Sequence, residues 1–335
     1  MKYFYERESQ TFREAVEVLK AEQKKVAVVG HVRPDGDCIG STVALVRILR
    51  DQGIDAVGVN NDPIPENLEF LLGDTPFYSV SEFKKDGHIC ITVDSADYKR
   101  VGSDFNTLFP QVFLNIDHHI SNKQYAEKNL IVGSSAATAE LLAGMVIDLD
   151  WTLDATAAQA LYVGIATDTG QFRFPSTTKA TFQIVEALFD FGAKPAEAAN
   201  ALYENESFAR IQLIQLFLAS LERTAEGRVC AGYLSDAMYS ESGATIDDAD
   251  GLVDYARSIK GVEIGVLIEE RNGALKASLR AKNPKYRVDQ IAQAFGGGGH
   301  ACAAGLNLAG TSMEDFRSRL FAKIQEQLAL IDAAE

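Results

Sequence analysis

The chain has 335 residues, of which 47% are hydrophobic and 24% are charged. This composition is that of an ordinary globular protein, it excludes a disordered or fibrous chain, and the length predicts two domains. Lysine and arginine number 32 and aspartate and glutamate 47, which gives a formal net charge of −15. Such an acidic chain is not expected to bind long nucleic acid along an extended positive surface. Any phosphate-bearing ligand must therefore bind at a local basic site.

Neither a membrane span nor a secretory signal is expected. The longest apolar stretches, such as residues 155–167, are too short and too interrupted to cross a bilayer, and residues 1–10 lack a basic start followed by an apolar run. The cysteines are widely scattered without a C-x-x-C pair: Cys38, Cys90, Cys230 and Cys302. This usage is typical of reduced thiols, so the expected location is the cytoplasm. The oligomeric state, a homodimer included, stays open.

The first half of the chain alternates short apolar runs with amphipathic segments, which is the pattern of an α/β fold. Strand-like runs occupy residues 25–30, 54–59, 88–93 and 111–116. Helical spacing is expected over residues 10–22, 39–52, 135–148, 155–167 and 177–191. We therefore predict a parallel sheet with right-handed crossover helices.

The second half is separated from the first by residues 194–223, which are rich in alanine and leucine and predict a connecting pair of helices. Further strands are expected at residues 229–234, 262–270 and 275–280, and helices at 248–258, 288–295 and 312–328. The predicted organisation is a catalytic domain at 1–193, a helical linker at 194–226 and a smaller α/β domain at 227–335.

One segment reverses the sign of the charge. Residues 271–287 (RNGALKASLRAKNPKYR) contain several basic residues and no acidic one. A local anion site is one interpretation. A solvated basic hairpin is the other, and it is the commoner origin of an isolated charge run.

Aspartates and histidines recur where predicted strands and helices begin or end. They are His31, Asp35, Asp37, Asp94, Asp117, His118, His119 and Asp168. Because the carboxyl ends of parallel strands converge on one crevice, we expect these side chains to share a pocket. Taken singly, each residue is better explained as part of a turn, a helix cap, or a core or surface histidine, and only their combination favours a site.

Carboxylates crowded in this way stay ionised together only beside cations. Aspartate and histidine without cysteine favour Mn²⁺, or Mg²⁺, Co²⁺ or Fe²⁺, over structural Zn²⁺, and the ligands suffice for two ions. Two such ions about 3.5–4 Å apart lower the pKa of a shared water and stabilise both oxygens of an in-line phosphoryl displacement. The predicted chemistry is therefore phosphoester hydrolysis.

Six motifs in order make the signal specific. The first half contains His31-x-x-Pro34-Asp35-Gly36-Asp37-x-x-Gly40-Ser41, Val93-Asp94-Ser95, Asp117-His118-His119 and Gly164-x-x-Thr167-Asp168-Thr169-Gly170-x-Phe172. The second half contains Lys276-x-Ser278-Leu279-Arg280 and Gly297-Gly298-Gly299-His300-x-x-Ala303-Ala304-Gly305. Over nearly the whole chain this pattern resembles the DHH/DHHA1 phosphoesterases, and within them the bifunctional oligoribonucleases and pAp phosphatases (nanoRNases). Ile120 stands where a proline is usual and Ala281 where a serine is common.

The resemblance implies a role for each residue of the first domain. One Mn²⁺ would be held by His31, Asp35 and Asp94, and the other by Asp37, Asp94, His118 and Asp168. Asp94 would bridge the two ions, Asp117 would orient an imidazole, and His119 would face the scissile phosphate. Arg173 is a further candidate for a phosphate contact, with a surface role as its alternative.

The resemblance also implies that the second domain grips the far end of the nucleotide across a cleft. The implied residues are Ser278, Arg280, Gly297, Gly298, Gly299 and His300. The glycines at 296–299 would allow close backbone approach and a hinge, and the alternative is a flexible linker.

The implied activity is Mn²⁺-dependent hydrolysis of short RNA oligonucleotides to mononucleotides and removal of the 3′ phosphate of 3′-phosphoadenosine 5′-phosphate (pAp). One alternative substrate class is linear dinucleotides such as pApA, or the cyclic dinucleotides that give rise to them. Another alternative is a non-catalytic nucleotide sensor, against which the complete ligand set argues. Neither long duplex nucleic acid nor a membrane is an expected partner.

Overall fold

Among the residues that it describes, 3–271 and 273–333, the computed structural model forms two compact units, each with a six-stranded sheet. The division between the units falls between Asn205 and Glu206. This point lies within the stretch that was expected to connect two domains.

The first unit contains a parallel sheet. Its strands are β1 (Val26–Val29), β2 (Ala56–Asn60), β3 (Phe77–Ser79), β4 (Ile89–Val93), β5 (Leu114–Asp117) and β6 (Lys128–Ile131). Their order is β3-β2-β1-β4-β5-β6, and every recorded pairing is parallel. The chain leaves β1 toward one edge and returns to β4 on the other side, so the strand order reverses between β1 and β4. In open sheets of this kind ligands bind at that reversal.

Helices cover both faces of this sheet. They are α1 (Glu6–Ala21), α2 (Gly36–Asp51), α3 (Ser103–Leu108), α4 (Thr138–Asp148), α5 (Ala155–Asp168), α6 (Lys179–Asp190) and α7 (Pro195–Tyr203). The larger core joins α1, α2, α4 and α5 to one face, and a smaller core around Phe105 and Phe109 covers the other.

Two glycines of the motifs set the spacing of these helices. A Cβ atom on Gly40 would lie 2.3 Å from the Ala160 carbonyl oxygen, and one on Gly164 would lie 2.6 Å from the Ala139 Cβ atom. One of these atoms belongs to the backbone and the other is a β-carbon, so neither can swing aside as the end of a long side chain could. The absence of side chains at these positions therefore lets α2, α4 and α5 approach closely, and two of these helices bear aspartates of the predicted site.

The second unit contains a mixed sheet with order β11-β12-β10-β9-β8-β7. Its strands are β7 (Glu222–Thr224), β8 (Val229–Leu234), β9 (Ile264–Arg271), β10 (Ala274–Ala281), β11 (Gly298–His300) and β12 (Ala303–Ala309). Its helices are α8 (Phe208–Ala219), α9 (Asp236–Ser242), α10 (Val253–Ser258), α11 (Val288–Gln293) and α12 (Met313–Asp332). One face packs on α11 and α12 and the other on α8, α9 and α10.

The predicted α/β class and the parallel first sheet are confirmed. Strands β3, β6, β7, β11 and β12 were missed, because the first four are brief and β12 is partly exposed, so none of them shows an apolar run. The strand expected at 111–116 begins only at Leu114, and the helix expected at 248–258 covers only Val253–Ser258.

The glycine run is also more ordered than a linker. Gly298–His300 form β11, which pairs with β12. In the described part of the chain, no helix is both long and apolar enough to cross a membrane. All four cysteines are free thiols.

Candidate metal centre

Three neighbouring strands of the first sheet end in residues of the predicted site. His31 lies two residues after β1, Asp94 directly follows β4, and Asp117 is the last residue of β5. Helix α2 contributes Asp35, which is its N-cap, and Asp37 in its first turn, while α5 ends at Asp168. The strand reversal and two helix ends therefore bring together segments that are distant in sequence.

The first group of ligand atoms consists of His31, Asp35 and Asp94. The His31 Nε2 atom lies 3.3 Å from Asp94 Oδ2 and 3.7 Å from Asp35 Oδ2. Its Nδ1 atom lies 2.8 Å from the Val32 carbonyl oxygen, which turns Nε2 toward the carboxylates. These three residues offer ligand atoms that all lie within 4.8 Å of one another, so they can hold a metal ion.

The second group consists of Asp37, His118 and Asp168, which meet the same distance criterion. The His118 Nε2 atom lies 3.3 Å from Asp168 Oδ2, 3.6 Å from Asp94 Oδ1 and 4.0 Å from Asp37 Oδ2. Asp94 thus directs its Oδ2 atom toward His31 of the first group and its Oδ1 atom toward His118 of the second. That arrangement fits a carboxylate shared by two cations.

Asp37 is held by backbone groups of a neighbouring helix. Helix α4 has no capping side chain of its own at Ala137. Instead, the Thr138 N–H donates to Asp37 Oδ2 over 2.7 Å and the Ala139 N–H donates to Asp37 Oδ1 over 2.8 Å. The Thr138 hydroxyl also donates to Asp94 Oδ1 over 3.1 Å. Thr138 was missed in the sequence, because the helix was expected to begin at Ser135 and no local pattern connects Thr138 with Asp37 or Asp94.

Asp117 contacts both histidines of its motif. Its Oδ1 atom lies 2.7 Å from His119 Nδ1 and accepts the His118 backbone N–H over 2.9 Å. The Asp117 side chain is fully buried, whereas that of His119 is 33% exposed. With Nδ1 engaged by Asp117, the His119 ring has Nε2 available for another partner.

The backbone of Asp94 is in the left-handed region, with φ of 52°. This conformation is costly for a residue with a Cβ atom, and it is found preferentially at functional sites. The Asp94 N–H donates to the Ile116 carbonyl oxygen over 3.0 Å, which ties this residue to β5.

The site's electrostatics show what the crowding costs. Burial, together with the charges of Asp94 and Asp168, raises the pKa of Asp37 well above its usual range. Burial likewise raises the pKa of Asp168 to about 6. Burial opposes the charged form of His31, but hydrogen bonds to Asp35 and Asp94 raise its pKa to about 10. The cluster therefore retains protons that divalent cations would replace.

The donor set fits hard or borderline cations. It consists of carboxylate oxygens and imidazole nitrogens. Cys38 is adjacent but buried, its Sγ atom lies 3.8 Å from the His31 carbonyl oxygen, and burial raises the pKa of its thiol. A thiol in that state is not a metal ligand, which agrees with its expected packing role.

A cavity of about 470 Å³ opens beside the second group. His118 and Asp168 line it, together with Ile120 and several serines. Ile120, the departure from the family pattern, is 89% exposed and stands over Gly133, where a Cβ atom would lie 2.8 Å from its Cγ1 atom. The cavity offers room for a substrate group next to the candidate metal ligands.

Arg173 lies outside both groups of ligands. It follows a turn in which Gly170, Gln171 and Phe172 all adopt positive φ values. Its Nε–H donates to the Gly170 carbonyl oxygen over 2.7 Å. The contact of Arg173 with a phosphate stays a prediction.

The predicted nucleotide-binding residues lie together in the second unit. Ala303 of β12 pairs with Arg280 on one side and with His300 on the other. Gly305 likewise pairs with Ser278 and Gly298. Directly opposed residues share a face of the sheet, so Arg280, His300 and Ser278 flank a surface of small residues.

Close packing against β12 explains the glycines beside this surface. A Cβ atom on Gly297 would lie 2.4 Å from the Gly305 carbonyl oxygen, and one on Gly299 would lie 2.4 Å from that of Ala303. Side chains at 297 and 299 would therefore separate β11 from β12.

The basic segment is partly neutralised. Its described residues lie at the end of β9, in β10 and in the turn that follows. Buried Glu269 accepts the Arg271 Nε–H over 3.0 Å and lies 3.4 Å from Lys276 Nζ, while Arg287 lies 2.7 Å from Asp289. Part of the positive charge is thus neutralised by ion pairs within this unit, which agrees with the interpretation of the segment as a basic hairpin.

Comparisons with known proteins cover most of the chain. Residues 25–165 match the DHH family, N-terminal domain, and residues 226–326 match the DHHA1 domain. The bifunctional oligoribonuclease and PAP phosphatase NrnA of Thermus thermophilus is 31% identical over 93% of both chains. The protein of the same description from Bacillus subtilis is 28% identical over 83% of this chain and 87% of its own.

A solved structure shows the same fold. It is that of an exopolyphosphatase-related protein from Bacteroides fragilis, with a TM-score of 0.86 and 22% identity over 96% of this chain and 98% of that chain. The match extends over both units and supports the order of domains predicted from the motifs.

Proposed function

Because the chain belongs to the DHH family of phosphoesterases and carries a DHHA1 domain, we propose that it hydrolyses short RNA oligonucleotides to mononucleotides and pAp to AMP. The observation that carries this proposal is the placement of Asp94 between the two groups of ligand atoms. The names of the relatives supply the substrate classes.

Two divalent cations, Mn²⁺ foremost, would be held by the six residues of the two groups. One would be held by His31, Asp35 and Asp94, and the other by Asp37, Asp94, His118 and Asp168. When bound, such ions lower the pKa of a water and neutralise charge on the reacting phosphate. Burial of the carboxylates then becomes favourable, since each negative charge gains a compensating partner.

His119 would act directly on the substrate. Asp117 fixes its Nδ1 atom, so its Nε2 atom can meet an oxygen of the scissile phosphate or of the leaving group. The hydrogen bond to Asp117 raises the pKa of His119, which favours the protonated ring as a donor to that oxygen.

The second unit would recognise the far end of the substrate. Arg280 suits a phosphate because its planar guanidinium donates two parallel hydrogen bonds, and His300 lies in the same cross-strand row. Ala303 lies between them in that row, and its small side chain would leave room for a group of the substrate. A substrate of one or a few nucleotides needs only such a local positive site, which is consistent with the net charge of −15.

The test is hydrolysis in the presence and absence of Mn²⁺. Phosphate release from pAp is measured beside mononucleotide release from a labelled RNA dinucleotide, pApA and a cyclic dinucleotide, first in EDTA and then with Mn²⁺. Asp94→Ala should abolish all turnover while the protein stays folded. Asp97→Asn is a matched control, because Asp97 pairs with Lys123 at the surface and lies outside both groups.

Each outcome separates the alternatives. If only linear or cyclic dinucleotides are hydrolysed, they are the substrates, and pAp and longer RNA are not. Tight nucleotide binding without turnover under every metal condition would make the protein a sensor. Full activity of Asp94→Ala would refute the shared-carboxylate scheme.

A further inference from the structure

A hydrogen-bonded chain of buried and half-buried polar side chains adjoins Asp117. Thr92 of β4 and Asn115 of β5 are fully buried, at positions where parallel strands usually carry aliphatic residues. The Asn115 amide donates to Thr92 Oγ1 over 2.9 Å. The Tyr125 hydroxyl lies 2.9 Å from the same oxygen and 3.0 Å from the Ser95 carbonyl oxygen. Buried polar groups persist in a sheet when they are hydrogen-bonded, and these form a connected set.

Asn122 joins this set to Asp117. Its Nδ2 atom lies 2.6 Å from Asp117 Oδ2, 2.8 Å from Asn115 Oδ1 and 3.3 Å from the Ser95 carbonyl oxygen. Its own side-chain oxygen accepts the Gln124 N–H over 2.7 Å. Only an NH₂ group can donate to the acceptors that converge there, so the neighbours determine which way the amide points.

Asp117 transmits this constraint to the histidines. The oxygen that faces away from Asn122 is the one bonded to His119 Nδ1 and to the His118 backbone N–H. A carboxylate held on one side only can rotate about its Cβ–Cγ bond. The hydrogen bond from Asn122 to the second oxygen opposes that rotation, which favours one orientation of the His119 ring.

We propose that Asn122 is a positioning residue of the phosphoesterase site, which fixes the Asp117 carboxylate and through it the imidazole of His119. The role of His119 in turnover rests on the proposed function, whereas the hydrogen-bond path from Asn122 to its ring does not. Loss of a group that orients a metal ligand commonly costs roughly 10- to 100-fold in metal affinity or activity, and we expect a loss of that order for this neighbouring path.

The kinetic test compares two variants of Asn122 with a matched asparagine. Asn122→Ala should lower kcat for pAp by roughly 10- to 100-fold with KM changed by less than about twofold, because the residue acts on orientation and not on substrate binding. Asn122→Asp keeps the shape but turns an acceptor toward Asp117 Oδ2, so it should lose at least as much. Asn129→Ala is the control: among the contacts of the described residues, the Asn129 side chain bonds to the Ala126 N–H and carbonyl oxygen, and its loss should affect the melting temperature and spare kcat.

A second measurement is independent of turnover. The chain has five histidines, so selective ¹⁵N labelling of their rings gives a resolvable spectrum of the metal-free protein, in which His119→Gln identifies the His119 signals. Asn122→Ala should shift the His119 Nδ1 resonance, and Asn129→Ala should leave it in place. Wild-type kcat or an unshifted His119 resonance in Asn122→Ala would overturn the positioning role. A shifted resonance in a protein that hydrolyses no substrate of the panel would instead refute the proposed function alone.

Discussion

Replacing one candidate metal ligand should stabilise the metal-free protein. Burial raises the pKa of Asp168 to about 6 from an ordinary value of 3.8. The folded state therefore binds this proton more tightly than the unfolded state, so stability falls as the pH rises from about 4 to about 6 and then stays lower. Two pKa units correspond to about 3 kcal/mol, and because the side chain is 35% exposed, solvent screening reduces this to about 1–2 kcal/mol.

Asp168→Asn removes the titrating group and keeps the shape. Thermal melts in EDTA should place the variant above the wild type by roughly 2–8 °C at pH 8, given about 2–4 °C per kcal/mol for a unit of this size. The difference should shrink as the pH falls toward about 4, because Asp168 is then protonated in the folded state and increasingly so in the unfolded state. Glu186→Gln, on the exposed face of α6, is the control and should show no such pH dependence.

Manganese should reverse the order, because only the wild type retains the full ligand set and gains the free energy of binding. Two results would show that ionised Asp168 does not destabilise the metal-free fold. One is a variant that melts below the wild type in EDTA at pH 8, and the other is a difference in melting temperature that does not change with pH.

Three further changes test other parts of the molecule. Gly40→Ala places a methyl group against the Ala160 carbonyl oxygen, so it should lower the free energy of unfolding by about 1–3 kcal/mol. It should also weaken Mn²⁺ binding measured by calorimetry. Undiminished stability would contradict the close approach of α2 and α5. Arg280→Ala should chiefly raise KM for pAp and leave Mn²⁺ affinity intact, and a variant that lost its metal would show that the roles of the two units are wrongly assigned. His119→Gln should retain Mn²⁺ but lose turnover, so unchanged kcat would exclude it from the reaction.

Much of the candidate site follows from local sequence. The runs before Gly30 and Asp94 are short, β-branched and buried, so they identify strands, and the rule that ligands meet at strand ends then gathers their polar neighbours. The glycines at 40 and 164 belong to the motifs, but only the packing of α2 on α4 and α5 shows why a side chain is excluded there.

What the sequence did not reveal depends on distant contacts. The bond from Asp37 to the start of α4 spans about a hundred residues, and no local pattern encodes it. Asn122 lies in a loop where asparagine is common, so its partners became visible only once β4 and β5 were in register. The shared face of Arg280 and His300 likewise depends on the pairing of β10, β11 and β12.

The first turn of α4 is capped by Asp37, a residue of another helix. Backbone amides of α4 should therefore respond to what the candidate metal site binds. The amide protons of Thr138 and Ala139 end on the Asp37 carboxylate, so any change in the charge of that carboxylate alters how firmly the first turn of α4 is anchored. Hydrogen exchange with solvent at these two amides should therefore report protonation of Asp37 or cation loading of the site without a substrate.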